Sequence, residues 1–410
     1  MVFKCQEDSF LKEFVSKVVS CKETEICLNE GGKKVNKPGY EVILEDTIIF
    51  PEGGGQPSDH GFLNEIPVKQ VIRREDIAIH LTESPLNVGD TVKQTIDWER
   101  RFDHMQQHSG QHLISAVLEK KYKHPTISWW LGEDVSYVEL ESTSIPPEEI
   151  KDAEKYLNKL IRDGLKVTVQ VYGENISEEE LKEARSVRGL PTDHKGDIRV
   201  INIDGVDTNM CCGTHVTNLS QLQVIKLLHT EKKKGRIILY FLVGNRVLNR
   251  LAASLDREQQ ITALLKGGPN EHVGLIDKLQ KNVKTQSKNL QSVLKDMATF
   301  MANQLNETLP IPEYFIYHRS GAEPDFMNHF IRELDRTDIF LFLSVGDDKK
   351  DGNILLYGIE EDVQALGDKL SDILGGKGAR KGNRYQAKVT KMANRSKAED
   401  CVVNYFKPQS

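Results

Sequence analysis

Two pairs of potential metal ligands place the strongest constraint on how this chain can fold. His108 and His112 lie four residues apart in a helical stretch, and Cys211 and His215 lie four apart in a glycine-containing turn. A spacing of four puts both histidines on one helix face, about one turn apart. Imidazoles together with a thiolate form a ligand set suited to tetrahedral zinc. The sequence therefore predicts a fold that brings this helix and this turn to one ion.

Either pair alone has an ordinary explanation as surface or core side chains, so the prediction depends on the two pairs meeting. Cys212 could replace Cys211 in principle, but only Cys211 has the spacing of four to His215. His104 lies four residues before His108, and we expect it beside the ligands or facing the substrate. Four protein ligands usually mark a closed structural site, whereas catalytic zinc keeps an open position. We therefore expect the metal to position substrate or hold a pocket as much as to activate water.

Composition indicates a soluble protein of several domains. The 410 residues are enough for two or three domains, and 38% of them are hydrophobic. No apolar run approaches the roughly 20 residues that span a bilayer, and residues 1–10 lack the apolar core of a secretion signal. Six cysteines, two of them adjacent, fit a reducing compartment. We expect a cytosolic protein that does not bind membranes.

The charge distribution carries more information than the net charge of −6. Residues 375–397 contain eight Lys or Arg residues and no Asp or Glu. Such a local excess on an otherwise acidic chain is the electrostatic footprint expected of an RNA-binding segment. A solvated basic surface without a partner is the alternative.

The order of apolar patterns predicts an α+β protein. Short strand-like runs at 40–44, 47–50 and 68–79 are bounded by turn residues and predict a small β-barrel. Apart from the linker described below, helices are predicted at 103–122, 147–163, 178–184, 326–334 and 361–374. Further strands are predicted at 127–142, 167–171, 199–203, 222–228, 237–243, 314–318, 339–345 and 354–359. We expect four parts: a barrel with a glycine-rich loop (1–95), a zinc-binding core (96–245), a helical coiled-coil linker (246–305) and a C-terminal α/β domain (306–410).

The linker region has a heptad pattern after a break at residues 267–269. Such a pattern predicts a helical hairpin or a short coiled coil, within one chain or between two chains as a homodimer. The apolar heptad positions are Ile276, Val283, Leu290 and Met297 in one row and Leu279, Val293 and Phe300 in the other, with the polar Gln286 in the remaining place.

A glycine-rich loop with the sequence Phe-Pro-Glu-Gly-Gly-Gly-Gln-Pro occupies residues 50–57. Consecutive glycines let backbone N–H groups approach a ligand closely. No Lys-Ser or Lys-Thr follows, so the loop is not a phosphate-binding P-loop. A plain turn between strands is the alternative, but the flanking prolines and Gln56 indicate a fixed loop that presents a side-chain amide.

These three motifs, in this order, resemble the editing domain of alanyl-tRNA synthetase and, more closely, its free-standing relatives, the AlaX proteins. The resemblance covers residues 1–245, and the chain is similar to the long form of the family. Residues after 245 resemble, more weakly, the linker and C-terminal domain of the synthetase. Where the family usually has Cys-Gly-Gly-Thr-His, this chain has Cys212 in the second position.

The resemblance implies one zinc ion on His108, His112, Cys211 and His215. It implies that the glycine loop, with Gln56, lines a pocket for a wrong amino acid, and that Thr47 recognises a seryl hydroxyl. The implied activity is hydrolysis of the ester that joins a wrong amino acid to the tRNA for alanine, chiefly serine, with glycine as a second candidate. With no aminoacylation domain in these residues, we expect deacylation in trans.

For the chemistry, we expect the backbone N–H groups of Gly54 and Gly55 to face the developing oxyanion. No Ser/His/Asp arrangement can be placed, so a covalent acyl-enzyme is not expected. A zinc-stabilised RNA-binding adaptor without hydrolysis is the alternative, and a hydrolase of small esters is a third reading. We expect phosphate contacts from basic residues in two segments, namely Lys232, Lys233, Lys234 and Arg236, and Lys377, Arg380, Lys381, Arg384 and Lys388, with Lys391 beside them.

Overall fold

A computed structural model describes residues 2–30, 33–172, 198–347 and 349–407. The chain separates into two compact units, Met1–Gln259 and Gln260–Ser410. Helices and several separate sheets occur in the same chain, which confirms the predicted α+β class.

No helix in the described ranges combines the length and the apolar character that crossing a membrane would require.

The first unit begins with the short helix α1 (Lys4–Glu7) and six antiparallel strands. Their hydrogen-bonded order is β1-β2-β5-β4-β3-β6, and β6 also pairs with β1, so the sheet closes into a barrel. Buried aliphatic side chains such as Val42, Val71 and Val92 fill its interior. The strands are β1 (Glu13–Glu30), β2 (Lys33–Leu44), β3 (Gly61–Leu63), β4 (Ile66–Arg74), β5 (Ile77–Thr82) and β6 (Thr91–Ile96).

Residues 47–50 do not form the strand that their sequence predicts. They follow β2 as a buried irregular segment whose backbone bonds to side chains instead of to a neighbouring strand. Ile48 N–H donates to Gln94 Oε1 at 3.1 Å, and Phe50 N–H donates to Asp59 Oδ2 at 2.8 Å. The apolar side chains that favour a strand here are buried in the barrel core, so burial replaces the expected sheet pairing.

The rest of the first unit is a helical layer on two further sheets. Helix α2 (Trp98–Tyr122) begins five residues earlier than predicted because Asp97 caps it, accepting a hydrogen bond from Arg100 N–H. The predicted helix at 178–184 lies outside the described residues. The other elements are α3 (Pro147–Asp163), the sheet of β7 (Thr126–Leu131), β8 (Ser136–Leu140), β12 (Ile225–Lys233) and β13 (Arg236–Val243), and the sheet of β9 (Val167–Tyr172), β10 (Ile198–Ile203) and β11 (Asp207–Met210).

Helix α4 (Asn245–Leu265) follows β13, and helix α5 (His272–Glu307) belongs to the second unit. The break between them falls at the predicted glycines and proline. A five-stranded sheet of order β14-β15-β16-β18-β17 follows, with one apolar core on each face. Its elements are β14 (Tyr314–Arg319), α6 (Pro324–Glu333), β15 (Phe340–Gly346), β16 (Gly352–Tyr357), α7 (Glu360–Ile373), β17 (Gly376–Lys381), β18 (Arg384–Val389) and α8 (Arg395–Phe406).

The face of α5 that packs inside the second unit differs from the predicted heptad seam. Leu294, Ala298, Ala302 and Leu305 are buried against the sheet and α6. The predicted seam residues Ile276, Leu279, Val283, Leu290, Val293 and Phe300 are 41–62% exposed. Of the predicted seam, Met297 packs against this core and the other six residues do not, so the use of the seam between two chains stays a prediction.

Candidate metal centre

The two predicted ligand pairs come together in the first unit. Helix α2 supplies His108 and His112 from its buried face, and the loop after β11 supplies Cys211 and His215. The loop is held in place by the buried Arg199, which donates hydrogen bonds to the carbonyl oxygens of Cys211 and Gly213 at 2.9 and 2.6 Å. Because Arg199 lies on β10, the sheet fixes the loop against the helix.

The spacing of the donor atoms fits one tetrahedral ion. One ligand atom from each of the four residues lies within 4.8 Å of every other. Cys211 Sγ lies 3.4 Å from His108 Nε2 and 3.3 Å from His215 Nε2. A sulfur and a nitrogen bound to the same tetrahedral zinc stand about 3.5 Å apart. One thiolate and three imidazoles are also a donor set that zinc prefers, so the residues present fit the metal.

Hydrogen bonds at Nδ1 orient the imidazoles of His108 and His215 so that Nε2 of each ring faces the centre. His108 Nδ1 lies 2.9 Å from Gln56 Oε1, and His215 Nδ1 lies 3.0 Å from Ser109 Oγ. Each contact leaves Nε2 facing Cys211, as a metal ligand requires. Burial, together with the charges of neighbouring groups, holds the pKa of His215 well below its usual value, which keeps the ring in the neutral form that binds metal.

Gln56 contacts one of the candidate ligands, and whether it also faces a bound amino acid stays a prediction. Its side chain is fully buried, and its Oε1 also accepts a hydrogen bond from Thr214 N–H at 2.9 Å. Its Nε2 donates to Thr214 Oγ1 at 2.8 Å. The amide therefore joins the glycine loop to His108 and to the loop that carries Cys211.

Replacing Gln56 with alanine is expected to weaken zinc binding about 10- to 100-fold, because His108 loses the partner that fixes its ring. Competition against a chelator of known affinity measures the change. Thr214→Val is the matched comparison, since it removes one hydroxyl contact of Gln56 and keeps the contact with His108. Equal zinc affinity in wild type and Gln56→Ala would contradict this positioning role.

The glycine loop forms a tight turn packed against the Cys211 loop and β7. Gly53 and Gln56 pair through their backbones, and Gly54 and Gly55 between them have φ values of +61° and +83°. A Cβ on Gly54 would lie 2.8 Å from Cys212 Sγ, and one on Gly55 would lie 2.7 Å from Trp129 Nε1. Both positions therefore require glycine. Within the described part of the chain, neither N–H group donates a hydrogen bond.

Cys212 lies beside the ligand set and is not part of it. Its carbonyl oxygen accepts a hydrogen bond from Gln6 Nε2 at 2.6 Å, and its thiol points towards Gly54. Gly213, the next residue, has no room for a side chain, because a Cβ would lie 2.2 Å from His108 Cε1. The turn therefore accommodates a cysteine at its second position and requires glycine at its third.

Thr47 is buried, and its hydroxyl contacts three protein groups. It lies 2.8 Å from His80 Nε2, 2.9 Å from Gln94 Oε1 and 3.0 Å from Ile49 N. His80 Nδ1 donates to the Val42 carbonyl oxygen and the ring is neutral, so His80 Nε2 and Gln94 Oε1 both accept from the single hydroxyl hydrogen of Thr47. Ile49 N–H uses one of the two lone pairs of the hydroxyl, and the other lone pair can accept a hydrogen bond from a seryl hydroxyl.

His104 is buried one turn before His108 and lies outside the four-residue cluster. Burial, followed by the charges of Arg100, Arg246 and Arg101, lowers the pKa of His104 to about 3. The ring is therefore neutral at physiological pH. Among the described residues its Nδ1 has no hydrogen-bond partner.

The predicted RNA-binding residues lie on two exposed hairpins, one in each unit. Lys232, Lys233, Lys234 and Arg236 surround the β12–β13 turn. The basic residues of the C-terminal segment lie on and after β17 and β18, which form an edge hairpin of the five-stranded sheet. Register places Lys377 opposite Lys388 and Lys381 opposite Arg384, so these four share a face. Arg380 is on the other face, paired with Glu360 at 3.0 Å, and Lys391 follows β18.

Comparison with known proteins gives the family of the chain. Residues 198–238 match the family described as the threonyl and alanyl tRNA synthetase second additional domain. The mouse alanyl-tRNA editing protein Aarsd1 is 46% identical over 412 residues, covering 100% of this chain and 99% of that protein. Alanyl-tRNA editing protein AlaX-L of Pyrococcus horikoshii is 30% identical, covering 68% of this chain and 66% of its own length.

A solved structure, the C-Ala domain from Aquifex aeolicus alanyl-tRNA synthetase, covers 22% of this chain and 86% of its own at 13% identity. Its TM-score of 0.20 is too low to support a conclusion about the fold.

The chain belongs to the alanyl-tRNA editing protein family. Within that family it matches the Aarsd1 proteins of vertebrates over their full length.

Proposed function

We propose that this protein hydrolyses mischarged tRNA(Ala), chiefly Ser-tRNA(Ala) with Gly-tRNA(Ala) as a second substrate, at a site that holds one zinc ion. The family supports tRNA(Ala) editing. The observation that carries the proposal is the cluster of His108, His112, Cys211 and His215 directly beside the glycine turn. A zinc ion held there would supply positive charge to a buried pocket.

The reaction is attack of water on the ester carbonyl, with release of the free amino acid and the 3′-terminal ribose hydroxyl. Gly54 and Gly55 offer N–H groups that donate no other hydrogen bond in the described structure, and these would bind the carbonyl oxygen as it gains charge. Trp129 and Cys212 pack against the two glycines and hold the turn in that conformation.

Selection of serine over alanine requires a partner for the serine hydroxyl. A buried site built to bind a hydroxyl rejects alanine, because its methyl group occupies the side-chain position and leaves a polar group unpaired, whereas glycine leaves that position open to a water molecule. Thr47 is our candidate, because its hydroxyl oxygen has a second lone pair that would accept a hydrogen bond from the substrate hydroxyl. Recognition of the tRNA body would come from phosphate contacts of the two basic hairpins, which makes binding steeply salt-dependent.

The test compares deacylation of Ser-, Gly- and Ala-charged tRNA(Ala) by wild type and by Thr47→Val. Wild type is expected to hydrolyse the seryl and glycyl esters and to leave the alanyl ester intact. Thr47→Val is expected to lose activity on the seryl ester by at least about tenfold and to keep activity on the glycyl ester, which has no hydroxyl.

Two outcomes would contradict the proposal. Binding of tRNA without hydrolysis of any ester would identify an RNA-binding adaptor with a structural metal. Equal hydrolysis of a seryl ester of adenosine and of Ser-tRNA(Ala) would identify a hydrolase of small esters, because the tRNA body would then contribute nothing.

A further inference from the structure

One face of the four-stranded sheet carries a row of four neighbouring rings. The ring centroids of Trp130 and Tyr137 are 5.8 Å apart, and those of Tyr137 and Tyr240 are also 5.8 Å apart. The Tyr240 ring then stacks on the imidazole of His229 at 4.6 Å, with an interplanar angle of 22°. Each strand contributes one ring, in the order β7, β8, β13 and β12, so the row crosses the whole sheet.

The row lies on the face of the sheet that points away from α2 and α3. Val138 and Leu140 of β8 are buried in the core formed with those helices, and Tyr137 alternates with them along the strand. Trp130 is 54% exposed, and its ring lies over Gly132, where a Cβ would stand 2.2 Å from a ring carbon. Trp130 and His229 are exposed at the two ends of the row, and Tyr137 and Tyr240 between them are half-buried. A continuous row of rings held in a fixed position is typical of a binding site.

Charged side chains of both signs surround the row. Lys233 and Arg236 are opposite each other in the register and share the face of Tyr240. Arg236 is already paired with Glu139, and two further acids are exposed in the β7–β8 turn, so Lys233 is the cation placed to meet a phosphate group. The carboxylates of Glu139 and Glu231 have protein partners. Glu139 accepts hydrogen bonds from Ser128 at 2.6 Å and Arg236 at 3.1 Å, and Glu231 accepts one from Tyr240 at 3.1 Å.

The row begins next to the glycine turn. Trp129, the residue before Trp130, points to the other side of β7. There its Nε1 packs against Gly55, so closely that a Cβ on Gly55 would lie 2.7 Å from it. The four strands place the outer rings about three inter-strand spacings apart, roughly 14 Å. Exposed rings across a four-stranded sheet can stack two or three bases of single-stranded RNA.

We propose that this face of the sheet binds the unpaired 3′-terminal nucleotides of the tRNA. The bases stack on Trp130, Tyr137 and Tyr240, and Lys233 lies near the phosphates. The last ribose, which carries the amino acid, then passes the edge of β7 into the pocket at the glycine turn. The inference rests on the proposed function, since it assigns the path of that substrate.

The test measures equilibrium binding of uncharged tRNA(Ala), either intact or lacking its unpaired 3′ nucleotides. The double variant Trp130→Ala/Tyr137→Ala is expected to bind intact tRNA at least about tenfold more weakly than wild type. It is expected to bind the truncated tRNA as wild type does. The variant Trp130→Phe/Tyr137→Phe keeps two rings and should bind intact tRNA nearly normally.

Two controls separate stacking from loss of structure. Tyr156→Ala removes an exposed ring from α3, on the other side of the same core, and should not change binding. Unchanged zinc content shows that each variant retains the metal centre. Equal binding of intact tRNA by wild type and the double alanine variant overturns the inference, and so does an equal loss for intact and truncated tRNA. Uncharged tRNA makes the test independent of hydrolysis, so failure of the proposed activity would not be mistaken for failure of this surface.

Discussion

Replacing Cys211 with alanine is expected to remove the bound zinc and to lower the rate of Ser-tRNA(Ala) hydrolysis by more than about 100-fold. Its sulfur is the one thiolate in the cluster and lies within 3.4 Å of His108 Nε2 and 3.3 Å of His215 Nε2. Without it, three buried imidazoles remain, which bind zinc less tightly and hold α2 and the loop after β11 together less firmly. Metal analysis of the purified variant and a single-turnover deacylation assay measure the two effects.

The neighbouring thiol supplies a matched control. Cys212→Ala removes a cysteine at the next position, whose sulfur contacts the glycine turn and lies outside the cluster. It should keep one zinc per chain. If Cys211→Ala binds zinc as tightly as wild type, the four-residue cluster is not the metal site.

Replacing Arg101 with alanine is expected to lower the free energy of unfolding of the first unit by about 3–5 kcal/mol. The Arg101 and Asp59 side chains are both fully buried and paired. Arg101 Nε donates to Asp59 Oδ2 at 2.8 Å, and Nη1 donates to the Ser9 carbonyl oxygen at 2.9 Å. Removing the guanidinium leaves Asp59 charged or protonated inside the fold, without its partner.

Denaturant unfolding followed by tryptophan fluorescence measures this effect, because Trp98, Trp129 and Trp130 all belong to the first unit. The control is Arg74→Ala, which removes an exposed arginine of the same barrel that pairs with Glu41 at 3.0 Å. An exposed pair contributes less than about 1 kcal/mol. Equal effects of the two substitutions would show that the buried pair does not hold α2 to the barrel.

Spacing alone was sufficient to predict which four side chains come together. His108 and His112 share a helix face because of the helical repeat, and Cys211 and His215 share a short loop. The groups that position them were not predicted. Nothing in the sequence around Ser109 indicates that its hydroxyl contacts His215. Arg199 lies on a strand and donates a hydrogen bond to the backbone of the Cys211 loop. Such contacts join residues distant in sequence, and no local pattern encodes them.

Local patterns also failed where several structures fit the same residues. The apolar run at 47–50 has the composition of a strand, but it enters the barrel core without pairing. Apolar residues occur on more than one face of α5, so the heptad could not identify Leu294 and Ala298 as the packed face. The excess of positive charge at 375–397 is plain from the sequence and its role in RNA binding stays a prediction, but the β17–β18 hairpin that carries most of it was not predicted.

The most direct test of the zinc site is the X-ray absorption spectrum of the zinc-loaded protein. The geometry predicts one sulfur ligand at about 2.3 Å and three nitrogen ligands at about 2.0 Å. A shell with no sulfur, with two sulfurs, or made mainly of oxygen would show that His108, His112, Cys211 and His215 do not share one ion.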